Sequence, residues 1–213
     1  MVLASDYLGI EPQKRRVFFS FHYQNDIWRV NQIRNSWRYQ HENQRVAEGF
    51  YDGSIWESSK RTNDDSLKVL IREGIKNTSV TCVLAGSATF ARRWVRYEIA
   101  RSIVKGNGLL VVRVHNMSNQ AGYASQAGPN PLDFMGTYKV DDGRILLAEK
   151  NEGKWERYTD YTQAIRLPRQ WRQPTSTTVV PLSTYARDYC YVSHGGNANF
   201  PAWVRHAAGM TGA

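Results

Sequence analysis

The chain has 213 residues with a formal net charge of +9, and 41% of its residues are hydrophobic and 22% charged. This composition is typical of a globular protein and excludes a disordered or fibrous one. No apolar run approaches the roughly 18–20 residues that a helix needs to cross a bilayer, and acidic residues stand where a signal peptide would be basic. We therefore expect a cytoplasmic protein with one core, or one core with a large appendage.

The positive charge is compatible with a nucleic-acid partner or with a phosphorylated small molecule. Lysine and arginine are spread along the whole chain, without long basic runs and without a nucleic-acid-binding motif. We therefore expect no dedicated nucleic-acid or membrane partner, and a basic cleft that attracts a phosphorylated small molecule fits the pattern better. The cysteines and histidines are scattered without metal-ligand spacing, so neither a metal site nor a resident cofactor is predicted.

The first elements read as a strand followed by a helix. Residues 16–21 are rich in β-forming side chains, and Asn25 or Asp26 can cap the helix that follows. Apolar residues at helical spacing then extend that helix to about Trp37. A short second strand is predicted at Val46–Tyr51.

Further along, strands and helices alternate. A one-sided apolar pattern predicts a helix that begins at residues 62–64, and Ser79–Ala85 is an almost continuous apolar run, as in a strand buried on both faces. A helix ending near Lys105-Gly106 and a strand at Leu109–Val114 follow. This alternation predicts an α/β fold with a doubly wound parallel sheet, in which ligands bind at the carboxyl ends of the strands.

The character of the sequence changes after His115. A polar loop spans residues 116–131, and Asp141-Asp-Gly143 predicts the turn of a hairpin. The remainder is rich in tyrosine and tryptophan but has little periodicity, and residues 207–213 look loosely ordered. We interpret residues 14–115 as the α/β core, and 116–206 as a C-terminal extension packed on it rather than an independent domain.

The helix between the last two apolar strands carries Trp94 and Glu98. Four residues apart on a helix, they share a face, and a helical wheel puts Glu98 at the edge of the buried stripe. A partly buried carboxylate beside a flat aromatic ring is a plausible site for holding and cleaving a nucleotide sugar. The alternative is a surface contact of Glu98 with Arg101 or Ser102.

Other candidate ligand contacts follow the same predicted edge of the sheet. Phe19, Ser20 and His22 end the first strand, and Gly86-Ser87 ends the apolar strand before the Trp94 helix. They offer an aromatic face, hydroxyls and backbone amides to a dinucleotide. Phe19 could instead be a core residue, and His22 could be a loop histidine bonded to nearby backbone.

Several segments spread over residues 14–206 match one family together. They include Arg16-Val-Phe-Phe-Ser-Phe-His-Tyr-Gln24, Ser79-Val-Thr-Cys-Val-Leu-Ala-Gly-Ser87, Arg92-Arg-Trp-Val-Arg-Tyr-Glu-Ile-Ala-Arg-Ser-Ile103 and Gly128-Pro-Asn-Pro-Leu-Asp-Phe-Met-Gly136. In these segments the chain resembles the TIR-domain proteins of the bacterial Thoeris antiphage system. The resemblance departs from typical TIR domains in the loop at 52–63 and in the first strand, which lacks an acidic residue common in eukaryotic members.

The resemblance implies a flavodoxin-like fold and an enzyme that cleaves the nicotinamide–ribose bond of NAD. Glu98 stands at the catalytic glutamate of that family, and Trp94 at the tryptophan of its W-x-x-x-E pattern. The implied product is a cyclic isomer of ADP-ribose, a diffusible signal that activates a separate effector protein after a phage-derived trigger. NAD is then a substrate rather than a cofactor.

Two other functions remain open from the sequence. The chain could be a non-enzymatic TIR-like adaptor that acts by TIR–TIR self-association or binds a nucleotide signal made elsewhere. It could also be a phosphate- or flavin-binding flavodoxin-like module, although the first strand is not followed by the Ser/Thr/Gly-rich phosphate loop of such proteins.

Overall fold

A computed structural model describes residues 16–40 and 63–212, and of residues 37–40 it describes the backbone only. The predicted strand Val46–Tyr51 and nearly all of the 52–63 loop lie outside the described residues. The helices are α1 (Tyr23–Gln40), α2 (Asp64–Lys76), α3 (Arg93–Lys105) and α4 (Gly196–Gly209). The strands are β1 (Val17–Phe21), β2 (Val80–Ala85), β3 (Gly108–Arg113), β4 (Met135–Lys139), β5 (Ile145–Asn151), β6 (Lys154–Arg157), β7 (Val180–Pro181) and β8 (Arg187–Cys190).

A parallel sheet forms the centre of the described chain, with the strand order β1-β2-β3-β8. Every residue of β2 is buried, as its almost continuous apolar sequence predicts. The order corresponds to the last four positions of the flavodoxin-like order 2-1-3-4-5. Because all the paired strands run the same way, their carboxyl ends meet at one edge. The predicted α/β fold class is therefore confirmed.

Helices cover both faces of this sheet, which makes it doubly wound. On one face, α1 and α4 enclose a core that includes Val17, Phe19, Leu84 and Val112. On the other face, α3 packs against β2 and β3, and α2 packs beside it on Phe18 of β1. The chain therefore changes faces between β1, which is followed by α1, and β2, which is followed by α3.

A second, antiparallel sheet in the order β6-β5-β4-β7 packs on the outer side of α3. Strands β4 and β5 form the predicted hairpin, with Lys139 paired to Ile145 around the Asp141-Asp-Gly143 turn. Trp171 and Tyr185 stack with ring centroids 4.5 Å apart and belong to the same hydrophobic cluster as α3. Helix α3 is thus enclosed between the two sheets.

The segment after residue 186 contributes elements that the sequence did not predict. Strand β8 pairs with β3, and α4 packs on the parallel sheet through Phe200, Trp203 and Val204. The predicted loose order from residue 207 was wrong for the first residues of that range, because Ala207 and Ala208 lie buried in α4. The proposed division at residue 115 therefore runs through a single parallel sheet.

Candidate active site

Glu98 lies in the interior of the protein, midway along α3. It is only 3% exposed, and its neighbours Val95 and Ile99 point into the hydrophobic cluster shared with the second sheet. Ser102 donates a hydrogen bond to the backbone carbonyl of Glu98 (2.7 Å), as a helical serine commonly does. This burial rules out the alternative in which Glu98 makes a solvent-exposed surface contact.

The carboxylate of Glu98 is held by strand β1. Ser20 is fully buried, and its Oγ donates to Oε2 of Glu98 at 2.5 Å, the distance of a short charge-assisted hydrogen bond. Ser20 is the last residue but one of β1, beside the carboxyl edge of the sheet. The structure therefore brings together two of the residues predicted from the sequence, 78 positions apart in the chain.

Trp94 lies one turn nearer the start of α3 than Glu98 and is partly buried. Its ring meets the ring of Tyr97 edge-on, with centroids 6.0 Å apart, and the Arg93 guanidinium lies 4.8 Å from its centroid. It packs on the cluster that α2 forms with Phe18. Because α3 begins at the carboxyl edge of the sheet, Trp94 is closer to that edge than the buried carboxylate.

Phe19 does not join this site. Side chains alternate between the faces of a strand, so Phe18 and Ser20 face α2 and α3 whereas Phe19 faces α1 and α4. Phe19 is 3% exposed, and its ring stacks on Phe200 with centroids 6.0 Å apart. The structure therefore corrects its placement: Phe19 is a core residue on the opposite face of the sheet from Glu98.

His22, Gly86 and Ser87 do lie at the carboxyl edge. His22 follows β1 directly and is buried, and its carbonyl accepts the backbone N–H of Asp26 in the first turn of α1. Gly86 and Ser87 follow β2, the next strand of the sheet. These residues border the position where the chain changes faces, which is where ligands bind in doubly wound sheets.

A buried ion pair at this edge was not recognised in the sequence, where Asp26 appeared only as a helix cap. Asp26 Oδ1 lies 3.1 Å from Nη1 of Arg29, and both residues are nearly inaccessible to solvent. Burial raises the pKa of Asp26 above its ordinary value, although Arg29 opposes the shift. A Cβ on Gly86 would lie 2.1 Å from Asp26 Oδ2, so only glycine fits beside this carboxylate.

The loop after β3 lies over the same edge. Arg29 donates from Nε to the carbonyl of Met117 (2.8 Å) and from Nη2 to that of Tyr123 (3.2 Å). Gly128 packs directly on Gly86 and Ser87, because a Cβ on it would lie 2.4 and 2.6 Å from their carbonyl oxygens. The loop therefore covers part of the backbone that we predicted to contact a ligand.

An ion pair fastens the far end of this loop to the sheet. Arg113 donates to the carbonyl of Gly128 (3.0 Å) and pairs with Asp188 of β8 at 2.7 Å. Asn130 donates to the same Asp188 carboxylate (3.1 Å).

Burial, with the nearby positive charge of Arg113, lowers the pKa of His115 at the start of the loop, which favours its neutral form at neutral pH.

Taken together, the described site offers a buried carboxylate, a hydroxyl bonded to it, an aromatic ring and a covered edge of backbone. No group of three or more His, Cys, Asp or Glu side chains within residues 16–40 and 63–212 could hold a metal ion. Among the helices of these ranges, none has the length and hydropathy to cross a membrane. The arrangement suits stabilisation of positive charge on a bound small molecule.

Comparison with known proteins gives a consistent result. Residues 18–119 match the family model described as "Thoeris protein ThsB, TIR-like domain". The chain is also similar to a protein of Bacillus cereus (strain MSX-D12) named "Putative cyclic ADP-D-ribose synthase ThsB1". The two are 44% identical over 192 residues, which are 89% of this chain and 98% of that protein. The similarity therefore includes the second sheet as well as the region around Glu98.

Proposed function

Because the chain belongs to the Thoeris ThsB family of TIR-domain proteins, we propose that it cleaves NAD between nicotinamide and ribose and joins the ADP-ribose part into a cyclic isomer. The observation that carries this proposal is the buried carboxylate of Glu98. Glu98 lies on the same helix as Trp94, and its carboxylate accepts a hydrogen bond from Ser20 of β1. The name of the B. cereus relative, a cyclic ADP-D-ribose synthase, supports the cyclisation.

A single carboxylate is sufficient for the cleavage step. Nicotinamide is a cationic pyridinium while bound to ribose and leaves as a neutral pyridine with the electron pair of the broken bond, so no acid has to protonate it. Ordinary glycosidases remove a poorer leaving group and therefore use a pair of carboxylates. Glu98 binds ribose hydroxyls and stabilises the positive charge that develops on the ribose as the bond breaks. Ser20 orients the carboxylate for this task.

The nucleotide binds at the carboxyl edge, above Glu98. Trp94 packs against a flat ring of the substrate, and His22 and Ser87 supply contacts from the ends of β1 and β2. Gly86 is buried beneath Gly128 and supports this edge instead. Phe19 does not contact the nucleotide because it faces α1 and α4. It packs in the hydrophobic core that supports β1.

Cyclisation requires that a hydroxyl or ring nitrogen of the same ADP-ribose attacks the ribose before water does. A folded substrate in a site that excludes water favours this intramolecular attack. The loop held by Arg29 and Arg113 already lies over the edge of the sheet. We propose that this loop, with the second sheet behind α3, helps to keep water from the reacting carbon.

The experiment that tests the proposal replaces Glu98 by glutamine. We expect Glu98→Gln to lower nicotinamide release by at least about 100- to 1,000-fold, because the isosteric amide lacks the charge that stabilises the transition state. Nicotinamide is measured by chromatography and the nucleotide product by mass spectrometry, with and without extract of phage-infected cells. Circular dichroism checks that the fold is intact.

Glu73→Gln serves as the matched control, since Glu73 is exposed and pairs only weakly with Lys76 at 3.5 Å. Unchanged NAD turnover in Glu98→Gln contradicts the mechanism. If the wild-type protein binds NAD stably but releases no nicotinamide under either condition, the adaptor function is favoured instead.

The partners follow from the proposed product. A diffusible cyclic nucleotide would reach a separate effector protein, and a phage-derived trigger would start its synthesis. Three further points remain predictions: TIR–TIR self-association, a cytoplasmic location and the lack of a cofactor, since NAD is the substrate. Protein-free filtrate from a reaction with infected-cell extract should activate the effector if the signal is diffusible, and filtrate from Glu98→Gln should not.

A further inference from the structure

One carboxylate of the C-terminal extension holds the beginning of the helix that carries Trp94 and Glu98. Asp160 follows β6 and accepts two hydrogen bonds from Arg93, one from Nε to Oδ2 and one from Nη2 to Oδ1, both at 2.8 Å. Lys68 of α2 approaches the same carboxylate at 3.1 Å. Asp160 therefore joins α2, α3 and the extension at one point.

Arg93 and Lys68, which pair with Asp160, lie against aromatic rings beside the site. The Arg93 guanidinium is 4.8 Å from the centroid of Trp94, and the Lys68 ammonium is 5.6 Å from that of Tyr97. The rings of Trp94 and Tyr97 meet edge-on. The guanidinium of Arg93 is attracted to the Trp94 ring. It is held in place by Asp160 and also by Asp64, which accepts from Nη1 at 2.7 Å, so both carboxylates help to restrict the orientation of Trp94.

The geometry favours an effect on orientation over one on stability. Two parallel N–H···O bonds fix a guanidinium in direction as well as position. The Arg93 side chain is 51% exposed, although that of Asp160 is only 13% exposed, so solvent screens the pair and discounts its contribution to folding stability. Hydrogen bonding from Arg93 lowers the pKa of Asp160, so its carboxylate is charged at neutral pH.

We propose that Asp160 is a positioning residue for NAD: through Arg93 it holds the Trp94 ring where the nucleotide packs against it. This inference rests on the proposed function, since it needs NAD as the substrate. It gives the C-terminal extension a part in substrate binding although the extension supplies no group to the reacting atoms.

The first test is the kinetics of Asp160→Asn. We expect KM for NAD to rise about three- to fivefold with kcat changed by less than about twofold, because a partly exposed ion pair is lost while Glu98 and Ser20 stay in place. Asp142→Asn is the matched control, because Asp142 also pairs with an arginine, Arg144, but on the distant hairpin. Both kinetic constants should be unchanged in that control.

A purely structural role would give a different result. Destabilisation alone lowers the melting temperature and the amount of active enzyme, so apparent kcat falls while KM stays at the wild-type value. That outcome would overturn the inference. Asp160→Glu keeps the charge, so its KM should lie between those of the wild type and Asp160→Asn. If the KM of Asp160→Glu is as high as that of Asp160→Asn, the effect does not come from the ion pair.

A double-mutant cycle tests whether Asp160 acts through Trp94. In a Trp94→Phe background, Asp160→Asn should raise KM by clearly less than it does in the wild-type background. Equal effects in both backgrounds overturn the proposed route. The proposed function fails separately: a wild-type protein that never releases nicotinamide overturns both, whereas normal NAD turnover with an unchanged KM in Asp160→Asn overturns this inference alone.

Discussion

The hydrogen bond between Ser20 and Glu98 places a strand hydroxyl against the carboxylate in a buried environment. At 2.5 Å and with both residues buried, the contact fixes one carboxylate oxygen relative to β1. A buried carboxylate is costly unless hydrogen bonds satisfy it. The serine therefore keeps Glu98 in the interior while holding it in one orientation, so we expect it to matter for both folding and catalysis.

Ser20→Ala should reduce kcat for NAD by about tenfold, because losing a hydrogen bond to a buried charged group costs about 1–3 kcal/mol. Part of this cost should also appear as a lower free energy of unfolding. Nicotinamide release and urea denaturation measure the two effects. Ser66→Ala, at an exposed position of α2, is the control. Wild-type kcat in Ser20→Ala would show that the hydroxyl does not orient the catalytic carboxylate.

At the scale of whole elements, the end of α3 shows how two nearby glycines differ. Gly106 ends the helix in the left-handed conformation, with φ at 86°, as the predicted helix stop requires. Gly108 begins β3 and has another role. A Cβ on it would lie 2.0 Å from the carbonyl oxygen of Ala207, so the missing side chain lets α4 pack closely on the sheet.

Gly108→Ala should lower the free energy of unfolding by about 1–3 kcal/mol, because the backbone of α4 would have to move away from β3. Gly209→Ala is the control, since a Cβ there would meet nothing within 4 Å. Urea denaturation of the two variants and the wild type measures the difference. Equal stability of Gly108→Ala and wild type would mean that α4 is not packed on β3 as described.

Over the whole molecule, the elements predicted from sequence are those whose own residues specify them. The run in β2 is apolar except for Thr81 because the strand is buried on both faces. The Asp141-Asp-Gly143 turn identifies the hairpin of β4 and β5. Strand β8 contains Arg187 and Asp188, and α4 contains Pro201 and several weak helix formers. Their structure depends on packing against β3 and the rest of the sheet, which no local pattern reveals.

The site follows the same division. The closeness of Ser20 and Glu98 was predictable because the end of β1 and the start of α3 meet at one edge of the sheet, whereas the catalytic role of Glu98 comes from the family resemblance and stays a prediction. Phe19 was misplaced because the alternation of a strand is visible in sequence, but which face meets α3 is not. The pair of Asp26 and Arg29 was missed because its importance comes from contacts with the loop about 90 residues later.

The proposed boundary at residue 115 can be tested directly. A chain of residues 14–115 lacks β8 beside β3 and also lacks Phe200 and Trp203, which cover the face formed by β1–β3. We expect this fragment to bind a hydrophobic dye and to lose its circular dichroism gradually on heating, because burial of those apolar side chains drives folding. The full chain should unfold in one sharp transition. A sharp transition in the fragment, without dye binding, would establish residues 14–115 as an independent core.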